Sequence, residues 1–327
     1  MPHPVTSLDA PARATRRDGL RRAGLAALVA AGVVVAAVAA DAAVLVHRMP
    51  TVAVDPSGSG DGTAYLLLAS DSRERLTGAD RQRYADAAQA EGERADLVLL
   101  LRRTAAGRAE LLSIPRDLYV GAGGDHPHRL GLALEGGAQA MVDSLCGNLG
   151  VGVDHVAVLD FRGLVDLVDA AGGVTVKTAG PLRDRRARLA LDSAGVHHLD
   201  GSQALAWVRS RHPEVLVDGR WRRPADADPT RTRHAVEVLG QAADRLDSPL
   251  TVQRALWRAG PRVRRDDGLG PRGLAALALG LRSALESGRV STVPVELTET
   301  EVPVAFPTSE TDEALEPFRT PGCDGAL

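Results

Sequence analysis

Lysine is almost absent from this chain: it occurs once, at Lys177, so arginine supplies 38 of the 39 basic residues. Arginine is therefore both the ordinary surface cation here and the side chain best suited to phosphate, and no single arginine identifies a site. The abundance of alanine, glycine and valine is typical of a GC-rich genome. An excess of positive charge is also missing: the formal net charge is −3, which gives no reason to expect a nucleic-acid partner.

Cysteine and the common catalytic motifs are scarce or missing as well. The two cysteines, Cys146 and Cys323, are far apart and match no metal-binding or CxxC redox spacing. There is no GxxxxGK[ST], no GxGxxG after a strand, no GxSxG and no HExxH, so nucleotide-binding, serine-hydrolase and zinc-protease interpretations lack their motifs. The chain is 44% hydrophobic and 25% charged, which is a globular composition.

The N-terminal region has one long apolar run. A polar, arginine-rich tail (1–22) precedes residues 23–46, which predict a transmembrane helix because they exceed the ~20 residues that cross a bilayer. Arginines before the run predict a cytoplasmic N-terminus. A cleaved signal peptide is the alternative, but its apolar core is usually only about 7–15 residues long. Residues 47–62 contain two prolines and an SGSGDG run, which predict a flexible linker.

The rest of the chain alternates between strand and helix patterns. Short apolar strands are predicted at 64–70, 96–101, 109–114, 155–160 and 174–176, with helices at 138–149 and 161–171. Near-continuous apolar strands joined by helices indicate an α/β fold whose sheet is covered on both faces. We further expect a polar loop at 213–229, helices at 231–246 and 271–286, a strand at 290–296 and an irregular tail from 297 onward.

The segment 197–212, HHLDGSQALAWVRSRH, predicts a short helix that delivers Arg209 and Arg211 at its end. We expect Ser202 to be its N-cap. Other charged residues follow or flank predicted strands and helices: Asp71, Arg73, Arg94, Asp96, Arg116, Asp117, Asp228 and Arg231. Residues beyond strand ends gather at one rim of an α/β sheet, where several arginines with carboxylates suit a diphosphate ester and Mg²⁺. A set of ordinary surface ion pairs is the alternative.

Several segments in this order also carry a resemblance: LLLASDSR (66–73), RADLVLLLR (94–102), LLSIPRDLYV (111–120), residues 152–176, HHLDGSQALAWVRSRH and DPTR (228–231). Together they resemble the LytR–CpsA–Psr family of cell-envelope proteins. The resemblance implies a three-layer α/β/α sandwich with a mixed central sheet and an apolar groove for a lipid tail. It also implies a single-pass membrane protein with an extracytoplasmic catalytic domain, here 63–305, followed by a tail at 306–327.

The implied activity is Mg²⁺-dependent transfer of a glycopolymer from a polyprenyl-pyrophosphate carrier to peptidoglycan. Asp71 and Asp96 would hold the metal, and Arg231 would lie beside the attacked phosphate. Asp117 would orient neighbouring arginines. The pyrophosphate would be clamped by Arg73, Arg94, Arg116, Arg209 and Arg211.

Three segments depart from the family pattern. Arg129-Leu130-Gly131 stands where Lys-Ile-Asn is usual, and His234 stands where a second arginine is expected after Arg231. RADL (94–97) replaces the commoner RSDT. These changes leave the two aspartates and the main arginines intact, so we expect an active enzyme.

Alternatives to the transferase remain open. A pyrophosphate hydrolase acting on the same lipid would use the same residues, and a non-catalytic envelope-binding or regulatory protein would lack turnover. The 22-residue tail is too short for a DNA-binding domain. The polymer is unspecified: arabinogalactan, or a capsular or teichoic-like polymer, suits an actinobacterial envelope. Outside the membrane, Cys146 and Cys323 are also expected to pair.

Overall fold

The computed structural model describes residues 14–58, 60–72, 78, 92–121, 128–223, 230–246, 248–298 and 304–323. The chain divides into a first unit that ends at Leu45 and a second that begins at Val46. The helices are α1 (Ala14–Arg48), α2 (Gly137–Leu149), α3 (Phe161–Ala170), α4 (Gly201–Arg209), α5 (Thr230–Arg245), α6 (Pro249–Ala259), α7 (Pro271–Glu286) and α8 (Ser309–Leu315).

Helix α1 contains the predicted apolar run. Its segment Arg21–Arg48 is, by length and composition, long and apolar enough to cross a membrane. At 1.5 Å per residue it spans about 40 Å, more than a typical hydrocarbon core. This fits the predicted transmembrane helix at 23–46.

Seven of the described strands form a mixed sheet at the centre of the second unit: β1 (Thr51–Val52), β2 (Thr63–Ser70), β3 (Ala95–Arg103), β4 (Ala109–Ile114), β7 (His155–Asp160), β14 (Val263–Asp266) and β15 (Val290–Thr292). Their order in the sheet is β1-β14-β7-β2-β3-β4-β15. Strand β7 runs parallel to β2, whereas β3 runs antiparallel to both β2 and β4.

Within the part of the chain that the structure describes, ten short strands lie outside this sheet: β5 (Tyr119–Val120), β6 (His128–Arg129), β8 (Val174–Thr178), β9 (Leu182–Asp184), β10 (Leu189–Leu191), β11 (Gly195–Leu199), β12 (Glu214–Val217), β13 (Arg220–Arg222), β16 (Glu296–Leu297) and β17 (Ala305–Phe306).

Apolar residues on both faces of the central strands explain their continuous leucine runs. Alternate side chains point to opposite faces of a strand. On β3, Val98 and Leu100 join the core that includes α2, while Leu99 and Leu101 join the core that includes α7. Helices therefore cover both faces, and the predicted α/β/α sandwich with a mixed sheet is confirmed.

The predicted strand at 174–176 is present as β8, and it pairs with β11 outside the main sheet. Two expectations about local structure are wrong, because the segments concerned form paired strands. Within the predicted flexible linker, β1 pairs with β14, and Ser57 donates its backbone N–H to the Val153 carbonyl at 3.0 Å. Part of the predicted polar loop at 213–229 is the hairpin β12–β13, closed by a turn at Asp218–Gly219.

The expectation of an irregular C-terminal tail is also wrong. Residues 309–315 form α8, and a 3₁₀ turn follows at Glu316–Phe318. Leu315 and Phe318 pack into the same core as α2. The expected disulfide is present: Cys146 and Cys323 are bonded, with their Cα atoms 4.7 Å apart. The tail is thus attached to the end of α2.

Candidate active site

Four strand ends meet at one edge of the sheet. Strands β2, β4 and β7 end there and β3 begins there, as their pairing directions require. The polar residues just outside these ends therefore share one rim. The structure brings seven predicted site residues together as lining of a single cleft of about 310 Å³: Asp71, Arg94, Asp96, Arg116, Asp117, Arg209 and Arg211.

The structure describes the remaining predicted site residues only in part. Arg73 and Asp228 lie outside the described residues. Arg231 lies in the first turn of α5, where the description covers its backbone and not its side chain.

Asp96 is the central acceptor in the cleft. Its Oδ1 forms an ion pair with Arg116 and a second one with Arg211 Nη2 at 3.3 Å. Arg116 Nε also pairs with Asp117 Oδ2 at 3.3 Å, and Arg129 Nη1 reaches Asp117 Oδ1 at 3.3 Å. Three arginines and two carboxylates thus form one continuous chain of charges. Such arginines can exchange a carboxylate for phosphate oxygens without losing a charged partner.

Asp71 and Arg94 join the ends of β2 and β3. The Arg94 backbone N–H donates to Asp71 Oδ1 at 2.7 Å, and the Asp71 N–H donates to the Arg94 carbonyl at 3.0 Å. The Arg94 guanidinium pairs with Glu135 at 3.2 Å. Behind them, Glu93 accepts hydrogen bonds from Ser70 and Arg264. These contacts hold the buried Asp71 carboxylate at the rim.

Helix α4 delivers the last two arginines. Its N-cap is Asp200 and not the predicted Ser202. The Asp200 carboxylate accepts a hydrogen bond from the Gln203 backbone N–H at 2.8 Å, and the Gln203 side-chain oxygen accepts one from the Asp200 backbone N–H at 3.1 Å. This reciprocal pair is a capping box. At the other end, the Arg209 guanidinium lies 4.8 Å from the centre of the Phe161 ring. Extended backbone at Ser210 then turns Arg211 toward Asp96.

Asp184 is a cleft residue that sequence reasoning missed. It is 1% exposed, and its carboxylate accepts from Ser210 Oγ and from three backbone N–H groups, those of Arg186, Ala187 and His212. It therefore ties the turn after β9 to the segment that carries Arg211. In the sequence, LRDRR reads as ordinary surface charge, and only the tendency of aspartate to cap a turn hints at its role.

Two titrating groups report the local electrostatics. Burial alone would raise the pKa of Asp184, but its four hydrogen bonds outweigh burial and lower it. The pKa of His212 is lowered by burial and by the positive charges of Arg186, Arg223 and Arg211, against the opposing effect of Asp184. The cleft wall is therefore electropositive, which suits an anion.

We expect Asp184→Asn to lower the free energy of unfolding at pH 7 by about 2 kcal/mol, since the amide keeps the shape but loses the charge that four donors face. The lowered pKa means that the wild-type advantage exists above pH about 4 and disappears as the pH falls below it. Urea unfolding between acid and neutral pH measures both effects, with exposed Asp192→Asn as control. Equal acid sensitivity of Asp184→Asn and wild type would contradict this assignment.

The departure at Gly131 has a steric cause in this chain. A Cβ atom there would lie 2.7 Å from the Ala95 carbonyl oxygen and 3.1 Å from the Arg116 Cβ. The Gly131 N–H also donates to the Arg116 carbonyl at 2.7 Å. Glycine at this position therefore lets the backbone approach both cleft-lining segments closely.

We expect Gly131→Ala to lower the free energy of unfolding by about 1–3 kcal/mol through overpacking. Gly147→Ala is the matched control, because nothing lies within 4 Å of a Cβ built at that helical position. The control is expected to gain about 0.5–1 kcal/mol from helix propensity. Thermal and urea unfolding compare the two, and equal stability changes would rule out the steric explanation.

The departure at His234 removes a cation. Burial, aided by Arg233, lowers the pKa of His234 to about 4, although a hydrogen bond to the Trp207 backbone opposes this. Its ring stacks on Trp207, with ring centres 4.2 Å apart. His234 is therefore neutral at pH 7, whereas the arginine expected at this position would carry a positive charge.

A second, smaller pocket adjoins the cleft. It shares Asp96, Phe161 and Arg209 with the cleft, and its other walls are mainly apolar side chains of α3, α4 and α5, among them Leu164, Leu205, Val208 and Leu239. The combined site offers a charged compartment beside an apolar one.

Whether the cleft suits Mg²⁺ depends on its carboxylates. Within the described ranges there is no group of three or more His, Cys, Asp or Glu side chains arranged to hold a metal. Asp71 and Asp96 line the same cleft, and Mg²⁺ commonly takes one or two carboxylates and completes its shell with phosphate oxygens and water. The donor set therefore fits a metal that binds together with a phosphate substrate.

The chain is similar in sequence to known cell-wall proteins. It is 36% identical over 151 residues to the probable cell wall biosynthesis protein LcpB of Corynebacterium glutamicum, covering 46% of this chain and 36% of LcpB. It is 32% identical over 200 residues to the polyisoprenyl-teichoic acid–peptidoglycan teichoic acid transferase TagT of Bacillus subtilis, covering 58% and 54%. The chain thus spans about a third to a half of these curated relatives.

The fold is that of a solved LytR-Csp2A-Psr enzyme from Actinomyces oris. The two structures share a TM-score of 0.68 at 27% sequence identity, covering 84% of this chain and 97% of that one. The model of the LytR_cpsA_psr family matches residues 34–269. The chain belongs to the LytR_cpsA_psr family.

Proposed function

We propose that this protein is a membrane-anchored phosphotransferase that moves a glycopolymer from a polyprenyl-pyrophosphate carrier onto peptidoglycan. The observation that carries the proposal is the pairing of two compartments. The chain of charges centred on Asp96 opens beside an apolar pocket. This is the complement of an amphiphile that has a pyrophosphate next to a hydrocarbon chain. The names of LcpB and TagT, a cell wall biosynthesis protein and a peptidoglycan teichoic acid transferase, support it.

In this mechanism Arg94, Arg116, Arg209 and Arg211 bind the pyrophosphate oxygens. Arg116 and Arg211 leave Asp96 for the phosphates as the substrate enters. A hydroxyl of the peptidoglycan acceptor attacks the sugar-linked phosphorus, and its proton passes to the departing phosphate. The bond from that phosphorus to the bridging oxygen breaks, and polyprenyl phosphate leaves. The product is a phosphodiester, and the arginines stabilise the charge that develops on the leaving phosphate.

Asp71 and Asp96 would hold Mg²⁺ against the pyrophosphate. When bound, the metal would neutralise charge on the phosphate oxygens. Asp117 would keep Arg116 and Arg129 oriented toward the cleft, and Arg73 and Arg231 remain predicted ligands of the phosphates.

The localisation in this proposal follows from α1. Its apolar segment fits a single-pass membrane anchor. The arginines that precede the segment favour a cytoplasmic N-terminus and an extracytoplasmic second unit. The disulfide in the second unit agrees with an oxidising compartment.

The test uses the full chain in detergent with Mg²⁺, a synthetic polyprenyl-pyrophosphate glycan and peptidoglycan fragments. We expect release of polyprenyl phosphate together with glycan linked to the fragments. Chelation of divalent cations and Asp96→Asn should each remove both products, whereas Asp143→Asn, on an exposed position of α2, should not. Lipid cleavage without linkage would make the protein a hydrolase. Tight lipid binding with no cleavage would make it a binding protein.

A further inference from the structure

Helix α6 presents an unusual surface. Leu250 is 73% exposed, Val252 38% and Leu256 39%, whereas Ala255 and Ala259 on the same helix are buried. It contains no acidic residue, and the exposed residues also include Arg254 and Arg258. At 3.6 residues per turn, Leu250 and Trp257 lie on the face opposite the buried Ala255 and Ala259, with Arg254 and Arg258 on one flank and Leu256 on the other. An exposed face that combines apolar side chains with arginines is typical of a helix that lies in a membrane interface.

The first residues of the second unit contact this helix. The apolar segment of α1 ends at Arg48, and the Arg48 guanidinium lies 4.6 Å from the centre of the Trp257 ring on α6. The residues that follow Arg48 are fixed by burial and by hydrogen bonding to β14. Met49 is buried, and the Pro50 carbonyl accepts from the Arg265 N–H at 3.0 Å. The second unit begins at Val46, so the chain enters this unit two residues before the side chain that contacts α6.

We propose that α6 is a membrane-contact helix that rests in the interface of the bilayer that α1 spans. Leu250 and Leu256 would enter the boundary between headgroups and acyl chains. Trp257 would take the interfacial position that tryptophan favours. Arg254 and Arg258 would meet headgroup phosphates of anionic lipids. This inference rests on the proposed membrane anchoring by α1.

The test uses the full chain in nanodiscs of equal parts phosphatidylcholine and phosphatidylglycerol, with bromine near the carbonyl end of the acyl chains. Bromine quenches tryptophan fluorescence only on contact. Of the three tryptophans, Trp207 is buried in the core and Trp221 lies on β13. We expect the wild type and Trp221→Phe to be quenched, and Trp257→Phe to lose the quenching.

Leu250→Glu provides a second variant that keeps the tryptophan. It should reduce quenching of Trp257 several-fold, because a carboxylate resists entry into the interface. Leu279→Glu is the matched control, since Leu279 is 66% exposed on α7 and should have no effect.

Two failures are distinguishable. Extraction of the wild type by alkaline carbonate would overturn the anchoring itself, and this inference with it. Retention in the bilayer with the same quenching in Trp257→Phe and wild type would overturn only the membrane contact of α6. A Leu250→Cys variant that cross-links two copies without Trp257 quenching would likewise overturn it and assign the helix to a dimer.

Discussion

Replacing Arg116 with alanine is expected to lower the rate of glycopolymer transfer by about a thousandfold. Removal of one preorganised donor to a developing negative charge costs roughly a hundred- to a thousandfold in rate. We expect the upper end of this range for Arg116, because it lies between Asp96 and Asp117 and links both carboxylates to the arginines around them. Its side chain is only 19% exposed, so solvent screens it weakly. Steady-state transfer with the lipid-linked donor measures the effect.

Arg116→Lys separates charge from geometry. Lysine keeps the positive charge but loses the planar fork that contacts two acceptors at once. We expect it to recover no more than about a tenth of the wild-type rate, because one ammonium group cannot reproduce both contacts. Arg108→Ala is the control, since Arg108 is 64% exposed and pairs with Glu110 at 2.8 Å, outside the residues that line the cleft. Retention of near wild-type rates by Arg116→Ala, in a variant that unfolds at the wild-type temperature, would remove Arg116 from the catalytic site.

Breaking the disulfide is expected to give the largest change in stability. Cys146 and Cys323 are 177 residues apart, and on the chain-entropy model closing so long a loop contributes up to about 5 kcal/mol. The bond also holds a segment whose Leu315 and Phe318 are part of the core. Backbone contacts nearby, such as Thr320 N–H to the Gly150 carbonyl at 2.9 Å, remain after reduction but do not close the loop covalently.

We therefore expect Cys323→Ser to lower the free energy of unfolding by up to about 5 kcal/mol in urea. Reductant should bring the wild type to the value of the variant and leave the variant unchanged. The double variant Cys146→Ser/Cys323→Ser should match the single one. A wild type that keeps its full stability after complete reduction would show that noncovalent packing alone holds the tail.

The fold could be predicted where local pattern and final structure agree. The apolar runs of β2, β3 and β4 predict strands because both faces of the sheet are covered. The helix Pro271–Glu286 could be predicted because a proline stands at its first position, where proline favours a helix start. Strand β1 and the hairpin β12–β13 could not be predicted, because two to four residues carry too little periodicity and because β1 and β12 each pair with a strand far away in the sequence.

The residues of the candidate site also include some that could be predicted from the sequence and some that could not. Asp71, Asp96 and Arg116 could be expected at one rim because each flanks a strand end. Their roles as metal and phosphate ligands remain predictions. Asp184 and Gly131 could not be predicted, since the first acts through hydrogen bonds to a loop 26 residues away and the second through a close backbone approach.

The central claim is that the cleft transfers a phosphoryl-linked glycan to an acceptor and does not hydrolyse it. The most direct measurement is to run the reaction in heavy-oxygen water with peptidoglycan fragments and to determine the product by mass spectrometry. Transfer predicts a phosphodiester between glycan and fragment with no heavy oxygen at its phosphorus. A free glycan phosphate that carries one heavy oxygen, with unmodified fragments, would contradict the account and identify water as the nucleophile.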